Sequence, residues 1–322
     1  MRVRSRRSAL LAAVAAITVV VYGLVQMPAS ADTRTEMREV FSPDGSIRKE
    51  AVRVADLPRT TASVDVAAEV VTIQQTGASG SRYDLVFVGD GYTAAEQELF
   101  HSQVVARWAQ LAAVEPFRTL KNSFNVWQVN VVSAESGSDN DPTLGVERDT
   151  ALGGRFWCGG LDRLVCVDDT VAKQYAALAP GADQALVLVN SATYGGSGGS
   201  VTVSSGGNAL SGDIVVHELG HSIGGLADEY GGDAGTYPGG EPIEPNASVA
   251  DEATMRAQRL KWFSYLGKPT PDGGVIGTFE GAAYYDHGVY RPSEDSMMRS
   301  LGKKFNLIGI DRLTAAILAK TN

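Results

Sequence analysis

The chain has 322 residues, 44% of them hydrophobic, with 28 basic and 37 acidic side chains and a formal net charge of −9. That length is enough for one sizeable domain with a short additional segment. The acid excess repels nucleic acid and anionic lipid, so neither is an expected partner.

Arg2, Arg4, Arg6 and Arg7 precede an apolar run from Ala9 to Val25, and Ala29-Ser30-Ala31 supplies a small-residue cleavage site. Residues 1–31 read as a secretory signal peptide. An uncleaved membrane anchor is the alternative, because the apolar run approaches the span of a bilayer. No later segment is apolar enough to cross a membrane. Removing the first 31 residues takes away four arginines and no acid, so −9 becomes −13. The expectation is a secreted, extracellular monomer that leaves the membrane on cleavage.

Residues 32–80 are mixed in charge, without a strong repeat, and end in the loop-like stretch Thr76-Gly77-Ala78-Ser79-Gly80-Ser81. They form a small β-rich piece, a pro-segment or a wrap onto residues 81–322, and no cysteine lies among them. Residues 81–322 then alternate between strand and helix. Tyr83 to Val88 reads as a buried strand. Thr93 caps a helix through about Val114, with Glu96 completing a capping box. Phe124 to Val132 alternates as a strand, Asp168 to Ala179 is helical, and Gln184 to Val189 is again a strand. A helix from Lys303 to Lys320 closes the chain, with Leu307, Ile310, Leu313 and Ile317 on one side. The succession predicts an α/β fold with a mixed twisted sheet.

Cys158 and Cys166 are the only cysteines, and an even count in an exported chain predicts one disulfide between them. Asp139-Asn140-Asp141 offers closely spaced oxygens for calcium. It lacks the full twelve-residue loop, so a solvated turn is the stronger reading. Gly195, Gly196, Ser197 and Gly198 lead into the alternating Val201-Thr202-Val203. Glycine-rich stretches are usually connectors, but an edge strand here would let a peptide approach its backbone closely. This segment is predicted to line a substrate groove, and the Pro/Gly-rich stretch from Gly231 to Pro245 to be a loop near its mouth.

His217-Glu218-Leu219-Gly220-His221 carries the chemistry. Side chains four apart lie on one helix face, so His217 and His221 can offer ring nitrogens to a single zinc ion, while Glu218 projects beside it as the candidate general base. The bland alternative is a pair of hydrogen-bonded core histidines, since Ile214, Val215, Val216, Leu219 and Ile223 bury this helix. Gly224-Gly225 stops the helix so that the chain can return a third donor. In the extended HExxHxxGxxH pattern that donor falls at 227, which is alanine here. Asp228 is the preferred third ligand, with Glu229 next and Asp233, Glu252 or His287 more distant. Glu294 to Ser300 resembles the methionine turn of metzincins, a resemblance that implies Met298 beneath the metal; a plain core methionine pair is the alternative. Arg299 stands near the place where metzincins often keep a tyrosine.

Five stretches in order carry a resemblance: Asp84 to Thr93, Phe124-Asn125-Val126, Tyr194 to Gly198, His217 to Tyr230, and Tyr290-Arg291-Pro292 with Met297-Met298-Arg299. The chain resembles the IgA-peptidase family of secreted zinc metallopeptidases, relatives or analogues of the metzincins. The resemblance implies a metzincin-like domain over residues 81–322, with a central zinc-binding helix and a C-terminal helix. It also implies endopeptidase activity with one zinc on His217, His221 and Asp228, and Glu218 as the catalytic carboxylate. It does not imply IgA as the substrate. The expected function is a secreted zinc endopeptidase acting on polypeptides. A zinc amide hydrolase acting on cell-wall peptides, or a non-catalytic extracellular binding module, are the alternatives.

Overall fold

In this computed structural model, residues 34–60, 64–65, 67–232 and 234–321 are described. The expected signal peptide or anchor, and Asp233, lie outside the described residues. In chain order the elements are β1 (Thr35–Phe41), β2 (Ile47–Arg53), β3 (Val70–Gln74), β4 (Tyr83–Asp90), α1 (Gln97–Leu111), β5 (Phe124–Val129), α2 (Asp169–Ala176), β6 (Gln184–Val189), β7 (Gly196–Ser197), β8 (Thr202–Ser205), α3 (Ser211–Ser222), α4 (Glu252–Gln258), β9 (Phe279–Ala282), β10 (Tyr285–Arg291) and α5 (Leu307–Lys320). Among the described residues no helix is long and apolar enough to cross a membrane.

Side chains alternate across a strand, so Tyr83, Leu85 and Phe87 face one side of β4 while Asp84, Val86 and Val88 face the other. All six are buried, so this strand must be covered on both faces. It lies inside a six-stranded sheet ordered β3-β5-β4-β6-β8-β7. The four inner strands are parallel and both edge strands are antiparallel, which makes the sheet mixed. One face packs Leu85, Phe87 and Leu188 against α1, α3 and α5 through Phe100, Trp108, Val215, Leu219 and Leu313. The other packs Val86, Val88 and Val187 against α2 through Val171, Ala172 and Tyr175. The result is the expected α/β class.

Local sequence explains most boundaries. Thr93 and Glu96 form the predicted capping box, opening a 3-10 turn that leads into α1. Asp168 caps α2 by accepting from Thr170 and Val171 N–H groups. The last helix starts four residues later than predicted, because Asn306 caps it by accepting from Gly309 N–H at 2.9 Å. The Cys158–Cys166 disulfide is present, beside Val52 of β2.

Two features fix where α3 sits. Arg107 of α1 is buried and donates to the Ser205 and Asn208 carbonyls at 2.9 and 3.0 Å, just ahead of α3. Gly212, in the first turn of α3, leaves room for that guanidinium, since a Cβ there would lie 2.1 Å from Arg107 Nη1.

Phe124 is fully buried and touches the rings of Tyr83, Trp108 and Phe117 at centroid separations of 5.7, 5.7 and 6.0 Å. Phe124→Ala is expected to cost roughly 3–5 kcal/mol, read as a lowered urea midpoint with an unchanged slope.

Candidate active site

His217 and His221 lie one turn apart on α3. Each ring is turned by its other nitrogen. His217 Nδ1 is 3.0 Å from the Met297 carbonyl and His221 Nδ1 is 2.7 Å from the Leu226 carbonyl. A carbonyl only accepts, so both Nδ1 atoms carry the proton and both Nε2 lone pairs are left to bind a metal. The two Nε2 atoms are 3.1 Å apart, and Asp228 Oδ1 lies 3.3 Å from the first and 3.2 Å from the second. Ligands about 2.0–2.1 Å from a tetrahedral zinc are separated by about 3.3 Å, so this triangle has the size of one face of such a site. Asp228 Oδ1 is buried without a hydrogen-bond partner. The donor set and that orphaned oxygen fit a divalent metal.

The chain reaches Asp228 through a glycine-dependent helix end. Gly225 has φ +60°, Gly225 N–H donates to the His221 carbonyl, and Leu226 N–H returns to the Gly220 carbonyl at 3.2 Å. Asp228 Oδ2 accepts from the Tyr284 hydroxyl. Tyr284 sits at the tip of the β9–β10 hairpin, where Ala283 and Tyr284 both have positive φ, +49° and +73°. Such turns favour Asn-Gly, so this pair is held against its preference. Its anchors are Ala283 N–H to the Asp228 carbonyl at 2.9 Å and Tyr284 N–H to the Tyr230 carbonyl at 3.2 Å.

The other ligand candidates are placed elsewhere. The Glu229 carboxylate is buried and accepts from Asn246, Ser296 and Asn306. Burial raises it to about 7, against the lowering effect of those donors. Glu252 pairs with Arg256 on exposed α4, and His287 is exposed beside Glu280. Met298 packs on α3 at Gly220, between the two histidines; a Cβ at Gly220 would lie 2.4 Å from the methionine sulfur. Its turn is closed by Arg299 and Ser300 N–H groups on the Ser296 carbonyl, each at 2.9 Å. Arg299 points away, with its guanidinium on the Glu294 carbonyl.

Glu218 lies against the end of β7. A Cβ on Gly198 would be 1.8 Å from its Oε2, so any side chain there would have to displace the Glu218 carboxylate. Gly198, Ser197 and Glu218 line a cleft of about 1240 Å³ together with His221 and Tyr284. Gly195 and Gly196 instead pack inward, against Phe156 and Ile214. The three oxygen-bearing side chains considered for calcium make separate loop bonds: Asp139 with Arg148 N–H, Asn140 with Gly145 N–H, and Asp141 with Thr193.

Sequence reasoning missed Glu39. Its Oε2 lies 3.6 Å from His217 Nε2 and 3.7 Å from His221 Nε2, and with Asp228 these ligand atoms all lie within 4.8 Å of one another. Its Oε1 accepts from the Tyr230 hydroxyl at 2.6 Å. No motif or spacing connects β1 to α3, so only the folded chain reveals the contact.

Without metal the cluster holds protons. Burial opposes charge on both histidines, but Asp228 and Glu39 outweigh it, holding His217 well above its usual value and His221 at about 9. Burial, then Glu39, pushes Glu218 up to about 8. Groups whose folded pKa is raised stabilise the fold below their unfolded pKa and lose that contribution as pH rises through the folded value. Chelator-treated protein should therefore lose thermal stability between pH 6.5 and about 9, and more steeply than the metal-loaded form, whose histidines hold no extra proton. Paired melting curves with and without chelator check this, and parallel curves would contradict it.

A cleft floored by a helix with two convergent histidines, a neighbouring glutamate and a returning aspartate defines a metallopeptidase. The profile of the IgA Peptidase M64 family matches residues 71–273 and 268–317. The chain belongs to that family. No curated protein matches it.

Proposed function

We propose that this protein is a secreted, monomeric zinc endopeptidase of metzincin-like build, with His217, His221 and Asp228 as metal ligands and Glu218 as general base. The observation that carries the reading is the triangle of ligand atoms with edges of 3.1, 3.2 and 3.3 Å beside an otherwise unpartnered Glu218 Oε1. Two neutral imidazoles and a carboxylate are a donor set that suits zinc. Zinc bound there supplies Lewis acidity, lowering the pKa of a water and drawing charge onto the carbonyl oxygen. The residues of the chain do the rest.

Glu218, buried one position along α3 from His217, takes the proton of the attacking water and passes it to the leaving amine. Gly198, without a side chain, lets the substrate backbone approach this carboxylate. The Tyr230 hydroxyl, which donates to Glu39 Oε1 at 2.6 Å, would be the donor for the developing oxyanion once that carboxylate is displaced. Tyr284 orients Asp228 through its second oxygen. Polypeptide is the proposed substrate, and export rests on the signal-like first 31 residues.

Two substitutions separate the roles. Glu218→Ala should abolish cleavage of an unfolded protein substrate, by about 10³-fold or more, with metal content unchanged. Asp228→Ala should lose metal from folded protein, seen by elemental analysis beside an unchanged far-UV spectrum. Full occupancy in that second variant would move the third ligand elsewhere. A metal-loaded protein that cleaves nothing, and whose behaviour ignores Glu218→Ala, would point to a binding module.

A further inference from the structure

β1 runs against the edge strand β7, along the wall of the cleft where a peptide would lie. Arg38 donates to the Gly198 carbonyl at 2.9 Å, the kind of backbone group a bound peptide would use. The next residue, Glu39, is only 10% exposed and directs Oε2 at the two histidines. Its Oε1 takes the Tyr230 hydroxyl. One carboxylate thus spans the metal position and the phenol, the two points that the oxygens of a tetrahedral intermediate would occupy.

A catalytic zinc keeps one of its four positions open for water, whereas a site closed by four protein donors is of the structural kind. Glu39 closes this one. The segment that bears it lies upstream of the residues matched by the family, which begin at 71. It is nonetheless firmly attached. Phe41 is fully buried with its ring 5.7 Å from that of His217, Leu301 N–H donates to the Gly45 carbonyl at 2.9 Å, and Lys49 lies 3.5 Å above the Tyr284 ring.

We propose that the β1–β2 hairpin is a built-in inhibitory plug, with Glu39 as a fourth metal ligand that excludes both water and substrate until the hairpin is cut away. This inference rests on the metallopeptidase reading above. Displacing the hairpin would open the fourth position, free the Tyr230 hydroxyl and expose the Gly198 carbonyl together, so that one movement converts a closed site to a working one.

The test uses the full mature chain loaded with cobalt(II), whose visible absorption reports coordination, titrated with acetohydroxamate as a small chelating probe. Wild-type protein should resist the probe. Glu39→Ala and Glu39→Gln should bind it on the order of tenfold or more tightly, because the competing ligand is gone. Their peptidase activity should rise by less, because β1 still covers the Gly198 carbonyl through Arg38. Equal probe affinity in wild type and both variants overturns the plug while leaving the metallopeptidase reading intact. Failure of the protein to take up cobalt or zinc at all sinks that reading, and the plug with it. A second measurement needs no variant: N-terminal sequencing of the active wild-type fraction should find residues 35–53 removed. Full specific activity in material that still carries them overturns the proposal.

Discussion

Two imidazoles one helical turn apart can share a metal only if something outside the helix turns them, and here two backbone carbonyls do so. Met297 and Leu226 accept from the Nδ1 atoms and leave both Nε2 lone pairs converging. Neither carbonyl belongs to α3, so the site depends on two separate chain segments being brought against that helix. Met297 comes from the methionine turn and Leu226 from the glycine-stopped helix end. The sheet packs α3 from behind through the Ile214–Leu219 face, and Arg107 of α1 holds the Ser205 and Asn208 carbonyls just ahead of it. The cost of burying carboxylates around the histidines is offset locally, since Asp228 and Glu39 each find an imidazole and a phenol.

Much of this is legible in residue order. The short apolar run from Tyr83 to Val88 announces a strand buried on both faces, and the capping box at Thr93 marks the approach to α1. The disulfide is implied by a count of two cysteines. The spacing of His217, Glu218 and His221 places three side chains about one point, and the double glycine implies that the chain returns near 228. The structure brings Asp228 to that point and turns Glu229 into a different network, a distinction that two adjacent acids in a sequence do not reveal.

The illegible part depends on contacts between distant segments. The β1–β2 and β9–β10 hairpins carry mixed polar sequences with weak alternation, because each rests on a body already formed and need not build its own core. β3, within the segment of open role, supplies an edge of the main sheet. Tyr284 reaches Asp228 from a turn whose residues, alanine and tyrosine, give no turn signal. The helical pattern after Lys303 runs through Asn306, whose capping bond outweighs the apolar periodicity before it.

The Glu229 carboxylate joins Asn246, Ser296 and Asn306, which belong to the loop after the ligands, the methionine turn and the cap of the last helix. A single buried acid is thereby the knot of three threads, and none of them can loosen alone. The cap of the last helix is thus tied to the residue next to Asp228 in the candidate site. Disturbing the Asn306 cap of α5 would reach the cleft floor without any substitution near it.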